Sequence, residues 1–373
     1  MSTLGRYLNR MLLLRFLVVS FAVIGFAAVV DLLDVGDDLV GAPEGAARAG
    51  LRYLALRVPM MLSELMPLAA LIAAILAVGD LLRHRELVVV WGAGLSNVRV
   101  MRLLLPMALL LAGAKLALDD RAVPFGAAAL RAWGIGDFKH DAGGGGGGGD
   151  DPGAAYWLRV GDDILRVSAN AASAGRLLDL TLIRRDANGV LTERVDAARA
   201  EPVQAGGNGG GAALRLFDAV RRVPGSRRAE VLASYDWPAD IDLDRVQLLA
   251  TPPRELQAGR LIEILRTGAY GMRAAEPYLT ALHLRVAGAL VPALLLLLAF
   301  ALARRFSRTA SIAPILVSGI TLGFASILAG GVASALGEVG VLPPALAAWA
   351  PPLTLAAIVL AIGLSGNRRL RPA

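Results

Sequence analysis

The feature that most constrains this chain is a series of long apolar runs, because roughly 20 apolar residues are enough to span a membrane as a helix. The sequence contains six such runs. They cover residues 11–30, 58–79, 100–118, 282–303, 312–332 and 345–364. Apolar residues make up 56% of the chain, more than an ordinary soluble domain contains. The runs predict an α-helical polytopic membrane protein with six transmembrane helices.

Arginines cluster at every second boundary between these runs, and arginine-rich short loops stay in the cytoplasm. The clusters precede the first run, separate the second from the third and the fourth from the fifth, and follow the sixth. This pattern predicts that both termini are cytoplasmic. It also accounts for the net charge of +7 without nucleic-acid binding.

Several classes of chemistry are excluded or disfavoured by the residues present. The chain has no cysteine, so neither a disulfide nor a thiolate site is possible. Neither of its lysines, Lys115 and Lys139, lies in the phosphate-binding loop of an ATPase. The three histidines are isolated and form no metal-ligand pattern. We therefore expect no catalytic residue, no metal and no cofactor bound by this chain.

A large polar insert separates the third run from the fourth, so the chain divides into residues 1–118, 119–277 and 278–373. The topology places the insert outside the cytoplasm. Its glycine run, residues 143–149, predicts a flexible tether. Short alternating stretches with turn signals predict hairpins, and hairpins in series favour an antiparallel sandwich or jelly roll. The predicted strands are residues 156–160, 164–167, 177–184, 190–195, 212–217 and 230–233, and a helix is predicted over 252–266.

The basic stretch between the second and third runs predicts an interfacial helix at about residues 80–97. Leu87 and its neighbours give it an apolar face, while Arg85 and Glu86 lie on the polar side, and Gly92 and Gly94 break it. An acid among basic residues is placed to pair with an arginine of a soluble partner. The alternative interpretation is a solvated loop.

Each ionisable residue within the apolar runs has two possible interpretations. Glu64, near Arg57, fits an outer interfacial or cavity-facing position better than a proton relay. Lys115, His283 and Arg285 either snorkel to lipid headgroups or attract an anionic substrate.

A Gly-x-x-x-Gly pattern occurs in the fifth run, at Gly319 and Gly323. Such spacing lets another helix approach closely, although simple helix flexibility also explains it.

Three segments carry a resemblance to a known family: P-L-A-A-L at 67–71, R-E-L-V-V at 85–89 and G-A-G-L-S at 92–96. Together they resemble the signature of the LptF/LptG permeases of the lipopolysaccharide exporter. The resemblance covers nearly the whole chain. The segments S-G-I at 318–320 and V-L-P-P at 341–344 are more similar to the LptG branch than to LptF.

The resemblance implies a periplasmic β-jellyroll and a place in the inner membrane of a Gram-negative bacterium. The implied partners are an LptF-like permease, an LptB-like ATPase dimer that uses ATP and Mg, and an LptC-like single-span protein. The implied substrate is lipopolysaccharide. In the family, the acid matching Glu86 lies on a coupling helix and contacts an arginine of the ATPase. This assigns Arg85, Glu86, Leu87, Gly92 and Gly94 to ATPase coupling.

The resemblance also suggests residues for a substrate cavity or gate, although ordinary lipid-facing or core positions explain the apolar ones equally well. They are Phe21, Ile24, Phe26, Arg57, Glu64, Arg285, Phe324 and Ile327. Enterobacterial relatives carry lysines near the outer end of the first span, where this chain has acids. Those lipid A contacts are not carried over. The two hypotheses are a less phosphorylated lipid A, or substitution by Arg48, Arg52, Arg57 and Arg285.

Other interpretations remain at this stage. The chain also fits the paralogous LptF subunit, a permease of another mechanotransmission or lipoprotein-type ABC export system, or a membrane scaffold without transport. A scaffold would not need the coupling segment.

Overall fold

The computed structural model describes residues 3–135, 155–160, 162–168, 177–186, 189–204, 212–226, 228–238, 251–267, 274–305 and 313–365. The predicted glycine tether at 143–149 lies outside these residues. The chain divides into two compact units. The first contains Met1–Ala127, Gln257–Ile262 and Glu276–Ala373, and the second contains Ala128–Leu256 and Glu263–Ala275.

The helices follow the apolar runs, and most of them extend beyond the predicted ends. In chain order they are α1 Thr3–Asp34, α2 Gly36–Val40, α3 Ala46–Arg83, α4 Glu86–Gly92, α5 Asn97–Leu103, α6 Leu105–Ala117, α7 Val123–Trp133, α8 Ala258–Thr267, α9 Glu276–Arg305, α10 Ala313–Glu338 and α11 Pro344–Ser365. A π-helical turn, Leu118–Ala122, joins α6 to α7.

Five of these helices, α1, α3, α9, α10 and α11, are long and apolar enough to cross a membrane. A sixth span results if α5 and the helical stretch Leu105–Trp133, which are bent by 48° at their junction, count as one. The chain is thus a multi-pass membrane protein with five to six candidate spans among the described residues.

Helices α3 and α9 form the centre of the first unit. Their buried side chains, such as Leu71, Ile75 and Leu298, pack with residues of α1, α6 and α11 in one apolar core. We call the part of this bundle that contains the first two turns of α1, the C-terminus of α3, α4, α5 and Arg304 the basic end. The part that contains the C-terminus of α1 and the N-termini of α3 and α9 is the opposite end.

The second unit contains a six-stranded antiparallel sheet whose neighbours follow in chain order. The strands are β1 Ala155–Val160, β2 Asp163–Ser168, β3 Leu177–Arg185, β4 Leu191–Gln204, β5 Ala212–Arg222 and β6 Glu230–Trp237. This order is a meander. The described strands show no Greek-key crossover of the kind that a jelly roll contains.

One face of the sheet carries an apolar core in which Leu182, Val195 and Leu216 are fully buried. A polar cluster adjoins this core. It includes Glu193, which lies directly across from Arg184 in the β3–β4 ladder. Burial opposes the charge of Glu193, but hydrogen bonds from Tyr235 and two arginines hold its pKa below the usual value. Burial of Tyr235 and its hydrogen bond to the charged Glu193 raise the pKa of the Tyr235 hydroxyl.

Two boundaries differ from the sequence prediction for identifiable reasons. The helix predicted at about residues 80–97 is divided: α3 continues to Arg83, α4 covers seven residues, and α5 begins at Asn97. The third apolar run is bent because Pro106, in the first turn of α6, has no N–H to continue the helix from α5.

Candidate functional site

Helix α4 is short and lies between two residues with left-handed backbone conformations. Arg85, which precedes it, has a φ of 61°, and Gly94, which follows it, has a φ of 85°. The left-handed region suits glycine, whereas a side chain such as that of Arg85 is strained there. Ser96 then starts α5 by accepting a hydrogen bond from the backbone N–H of Arg99 at 3.3 Å. The motif residues therefore set where each piece of helix begins and ends.

Glu86 is the first residue of α4 and is held by α1. The Tyr7 hydroxyl contacts both of its carboxylate oxygens, at 3.0 and 3.3 Å. The next residue, Leu87, is buried in the core of the bundle. Arg85 and Gly92 are exposed. The carboxylate of Glu86 is thus oriented at the surface while its neighbour anchors the helix.

The other end of α4 is held by α9. The guanidinium of Arg304 lies over the Trp91 ring, 4.8 Å from its centroid, in a cation–π arrangement. Trp91 is almost fully buried. Sequence reasoning did not single out Tyr7, Trp91 or Arg304, because each lies far in sequence from the group that it contacts.

Asn9 bridges the break between α5 and α6. Its amide nitrogen donates to the carbonyl of Leu103 at 2.7 Å, and its amide oxygen accepts from the N–H of Met107 at 2.9 Å. In a continuous helix those two backbone groups would bond each other. A side chain of α1 therefore completes the hydrogen bonding of the bent span.

An ion pair joins α1 to α3 close to the basic end. Arg15 pairs with Asp80 and also donates to the carbonyl of Leu76 at 2.9 Å. Asp80, which contacts Arg15, directly follows the second apolar run, and Glu86, which contacts Tyr7, lies a few residues further along the chain. The start of α1 is thus fixed to α3, α4 and the α5–α6 break.

At the opposite end, the predicted cation Arg57 is engaged by an acid of α1. Its guanidinium lies 3.3 Å from the carboxylate of Asp31. The same carboxylate accepts a hydrogen bond from the Tyr53 hydroxyl at 2.5 Å. Glu64 is exposed, and its charge acts on Arg57. Arg52 pairs with Glu44 at 3.2 Å. Asp31 and Glu44 therefore pair with two of the arginines that precede the second apolar run.

Arg285 is buried in α9, where burial opposes its charge and the charges of Asp119 and Asp120 favour it. Asp119 also accepts from Lys115 at 2.6 Å, and Ser63 bonds to both groups. Lys115, Ser63 and Asp119 thus form a hydrogen-bonded cluster within the first unit. Lys115 is bound inside this cluster rather than extended toward solvent.

The aromatic gate candidates lie on the surface of this chain. Phe21 is 82% exposed, Phe26 75% and Phe324 57%. Ile24 is half-buried, and Ile327 packs against the bundle core. In a membrane protein, such exposed aromatic residues face lipid or another chain.

The two glycines of the Gly-x-x-x-Gly pattern face α3. A Cβ at Gly319 would lie 2.9 Å from Cδ1 of Ile75, and a Cβ at Gly323 would overlap the Leu71 side chain. Gly126 and Gly337, which the sequence did not single out, are packed as closely against Leu56 and Ala347.

Among the described residues, no group of three or more histidine, aspartate or glutamate side chains is arranged to hold a metal ion. The geometry instead concentrates contacts around a short surface helix and its acid.

A family model described as lipopolysaccharide export system permease LptF/LptG matches residues 6–365.

The chain belongs to the LptF/LptG family.

The resemblance read from the motifs is thereby confirmed, and it makes this LptF/LptG protein a membrane component of a lipopolysaccharide export system rather than an enzyme. The match does not distinguish LptG from LptF. No curated protein matched the chain.

Proposed function

We propose that this chain is the LptG subunit of an ABC transporter that extracts lipopolysaccharide from the inner membrane. The transporter passes the lipid to a periplasmic bridge toward the outer membrane. The segments at 318–320 and 341–344 support LptG over LptF. Its partners are an LptF-like permease, an LptC-like single-span protein and an LptB-like ATPase dimer that binds ATP and Mg.

The observation that carries the proposal is the placement of Glu86. It starts a short helix at the surface, beside the exposed Arg83 and Arg85. A surface carboxylate in this position is suited to a charge-assisted bond with an arginine of a docked protein. We infer that α4 is the coupling helix on which the ATPase acts.

The topology follows from the same assignment. The basic end lies in the cytoplasm with both termini, and the six-stranded sheet lies in the periplasm as part of the family's jelly-roll domain. The outwardly exposed Phe21, Phe26 and Phe324 then face the partner permease or the lipid that passes between the two permeases. Closure of the ATPase would move α4 and shift these helices.

The contacts at the opposite end refine the hypothesis about lipid A. Arg57 and Arg52 are paired with acids of this chain, whereas Arg48 is exposed and forms no ion pair with any described residue. Phosphate binding by Arg57 would have to displace Asp31. Arg48 is therefore the better candidate for a headgroup contact.

Co-purification with the ATPase tests the proposal. Glu86→Arg puts a cation against the partner's arginine, so we expect at least about a tenfold loss of captured ATPase, since truncating such a charge pair costs 2–5 kcal/mol. The matched control is Asp37→Arg, the same charge change at an exposed site of the opposite end. Equal ATPase capture by the wild type and Glu86→Arg would contradict the coupling role.

A further inference from the structure

The contact between Tyr7 and Glu86 joins two elements that are 79 residues apart in sequence. Tyr7 has one hydroxyl hydrogen, and both oxygens of Glu86 lie within reach of it. The bond is of the charge-assisted kind, which is stronger than a bond between neutral groups. It ties the first residue of α4 to the first turns of α1.

Helix α4 does not form a continuous rod with α3, because the left-handed Arg85 lies between them. Gly94 separates it in the same way from α5. A push on α4 is therefore not passed to α3 along a helix axis. It reaches the bundle through side chains, of which Leu87, Trp91 and Glu86 are the main ones.

Helix α1 leaves most of its surface exposed within this chain. Of its most apolar stretch only 22% is buried, compared with 61% for α3 and 67% for α9. Its packing is concentrated on one face, where Leu8, Leu12 and Phe16 enter the bundle core, and the polar links at its basic end help to set its position. Among these links, the bond from Tyr7 leads directly to the acid that starts α4.

We propose that Tyr7 is a positioning residue that transmits movement of the coupling helix to α1 through its hydrogen bond with Glu86. This inference rests on the proposed function, because it takes a docked ATPase as the source of the movement. Tyr7 does not itself bind the ATPase in this scheme. It makes α1 follow α4, so that ATP hydrolysis is converted into lipid release.

The test uses the full transporter complex in proteoliposomes containing lipopolysaccharide, with Tyr7→Phe in this chain. The variant keeps the ring and removes only the hydroxyl. The matched control is Ser20→Ala, which removes from the same helix a hydroxyl with no hydrogen-bond partner among the described residues. Three quantities are measured: captured ATPase, ATP hydrolysis, and lipopolysaccharide released per ATP hydrolysed.

For Tyr7→Phe we expect ATPase capture and ATP hydrolysis within about twofold of wild type, and about a tenfold fall in lipid released per ATP, the scale of one lost hydrogen bond to a charged group. Ser20→Ala should match wild type in all three quantities. An unchanged release ratio in Tyr7→Phe, an equal fall in Ser20→Ala, or loss of ATPase capture in Tyr7→Phe would each overturn the inference. Failure of the wild-type complex to capture ATPase or release lipid would instead refute the proposed function.

Discussion

Asn9 performs a structural task that its position in the sequence does not reveal. It lies in the first turns of α1, and its amide occupies the gap between Leu103 and Met107 that Pro106 opens in another helix. The sequence predicts a single unbroken span over residues 100–118. It does not reveal Asn9 as the partner of the break, because Asn9 and Leu103 are more than ninety residues apart and meet only in the folded bundle.

Replacing Asn9 by leucine tests this task. Asn9→Leu keeps a similar volume but leaves the Leu103 carbonyl and the Met107 N–H without their partner, so the free energy of unfolding should fall by about 1–3 kcal/mol. Titration of the detergent-solubilised protein with dodecyl sulfate measures this free energy. Ser20→Ala is the control and should be near neutral. A loss in Asn9→Leu no greater than in that control would show that the bridge does not stabilise the bend.

Glu86 was identified from the motif that contains it, but its environment was not. The sequence indicates an acid among basic residues, which suits an interface with a soluble protein. The hydroxyl of Tyr7 and the left-handed joint at Arg85 became visible only with the fold. A tyrosine near the start of an apolar helix is ordinarily an interfacial anchor, so no local signal marks this one out.

Among the elements, the helices and strands were predicted better than their ends and their arrangement. The apolar runs lie within α1, α3, α9, α10 and α11 nearly throughout. The period-two stretches lie in β1 to β6, although β4 continues to Gln204, well past its predicted end. The predicted hairpins in series are observed in the β1–β2 and β3–β4 pairs. The single continuous meander was not foreseen, because the turn signals do not show how one hairpin pairs with the next.

The packing of α10 on α3 gives a direct prediction. Gly323→Ala places a methyl group against Leu71, which is buried and cannot withdraw, so the free energy of unfolding should fall by about 1–3 kcal/mol. Gly330→Ala, in the same helix, meets nothing within 4 Å and should be neutral or stabilising. Dodecyl sulfate titration compares the two variants. Equal stability of both would contradict a close contact at Gly323.

Across the whole molecule, charged residues form ion pairs that the sequence alone did not indicate. Arginines at alternate boundaries predict the topology, and the acids that follow the first span looked like a departure from the family. In the structure, two of these acids, Asp31 and Glu44, pair with Arg57 and Arg52. Such pairing across helices depends on the fold, so composition showed the charges but not their partners.

The basic end contains the contacts that join α1 and α4 to each other and to the rest of the bundle. Within it, α1 is joined to α4 by Tyr7 and to the α5–α6 bend by Asn9, and close to it α1 is joined to α3 by Arg15. Trp91 and Arg304 add a link from α4 to α9. A movement of α4 therefore has defined routes into the span helices, which is what a permease driven by a separate ATPase requires.

The central proposal is that ATP hydrolysis by a partner drives lipopolysaccharide past this chain into the periplasm, where we expect the lipid to reach the apolar side of the sheet. The most direct measurement places a photoreactive residue at position 232, beside the apolar core of the sheet, or at position 194 on the opposite face, in the reconstituted complex. We predict lipopolysaccharide adducts at position 232 that need ATP, exceed those at 194 and disappear with Glu86→Arg. Adducts that are absent from an assembled, ATP-hydrolysing complex, or that form equally without ATP, would contradict the account.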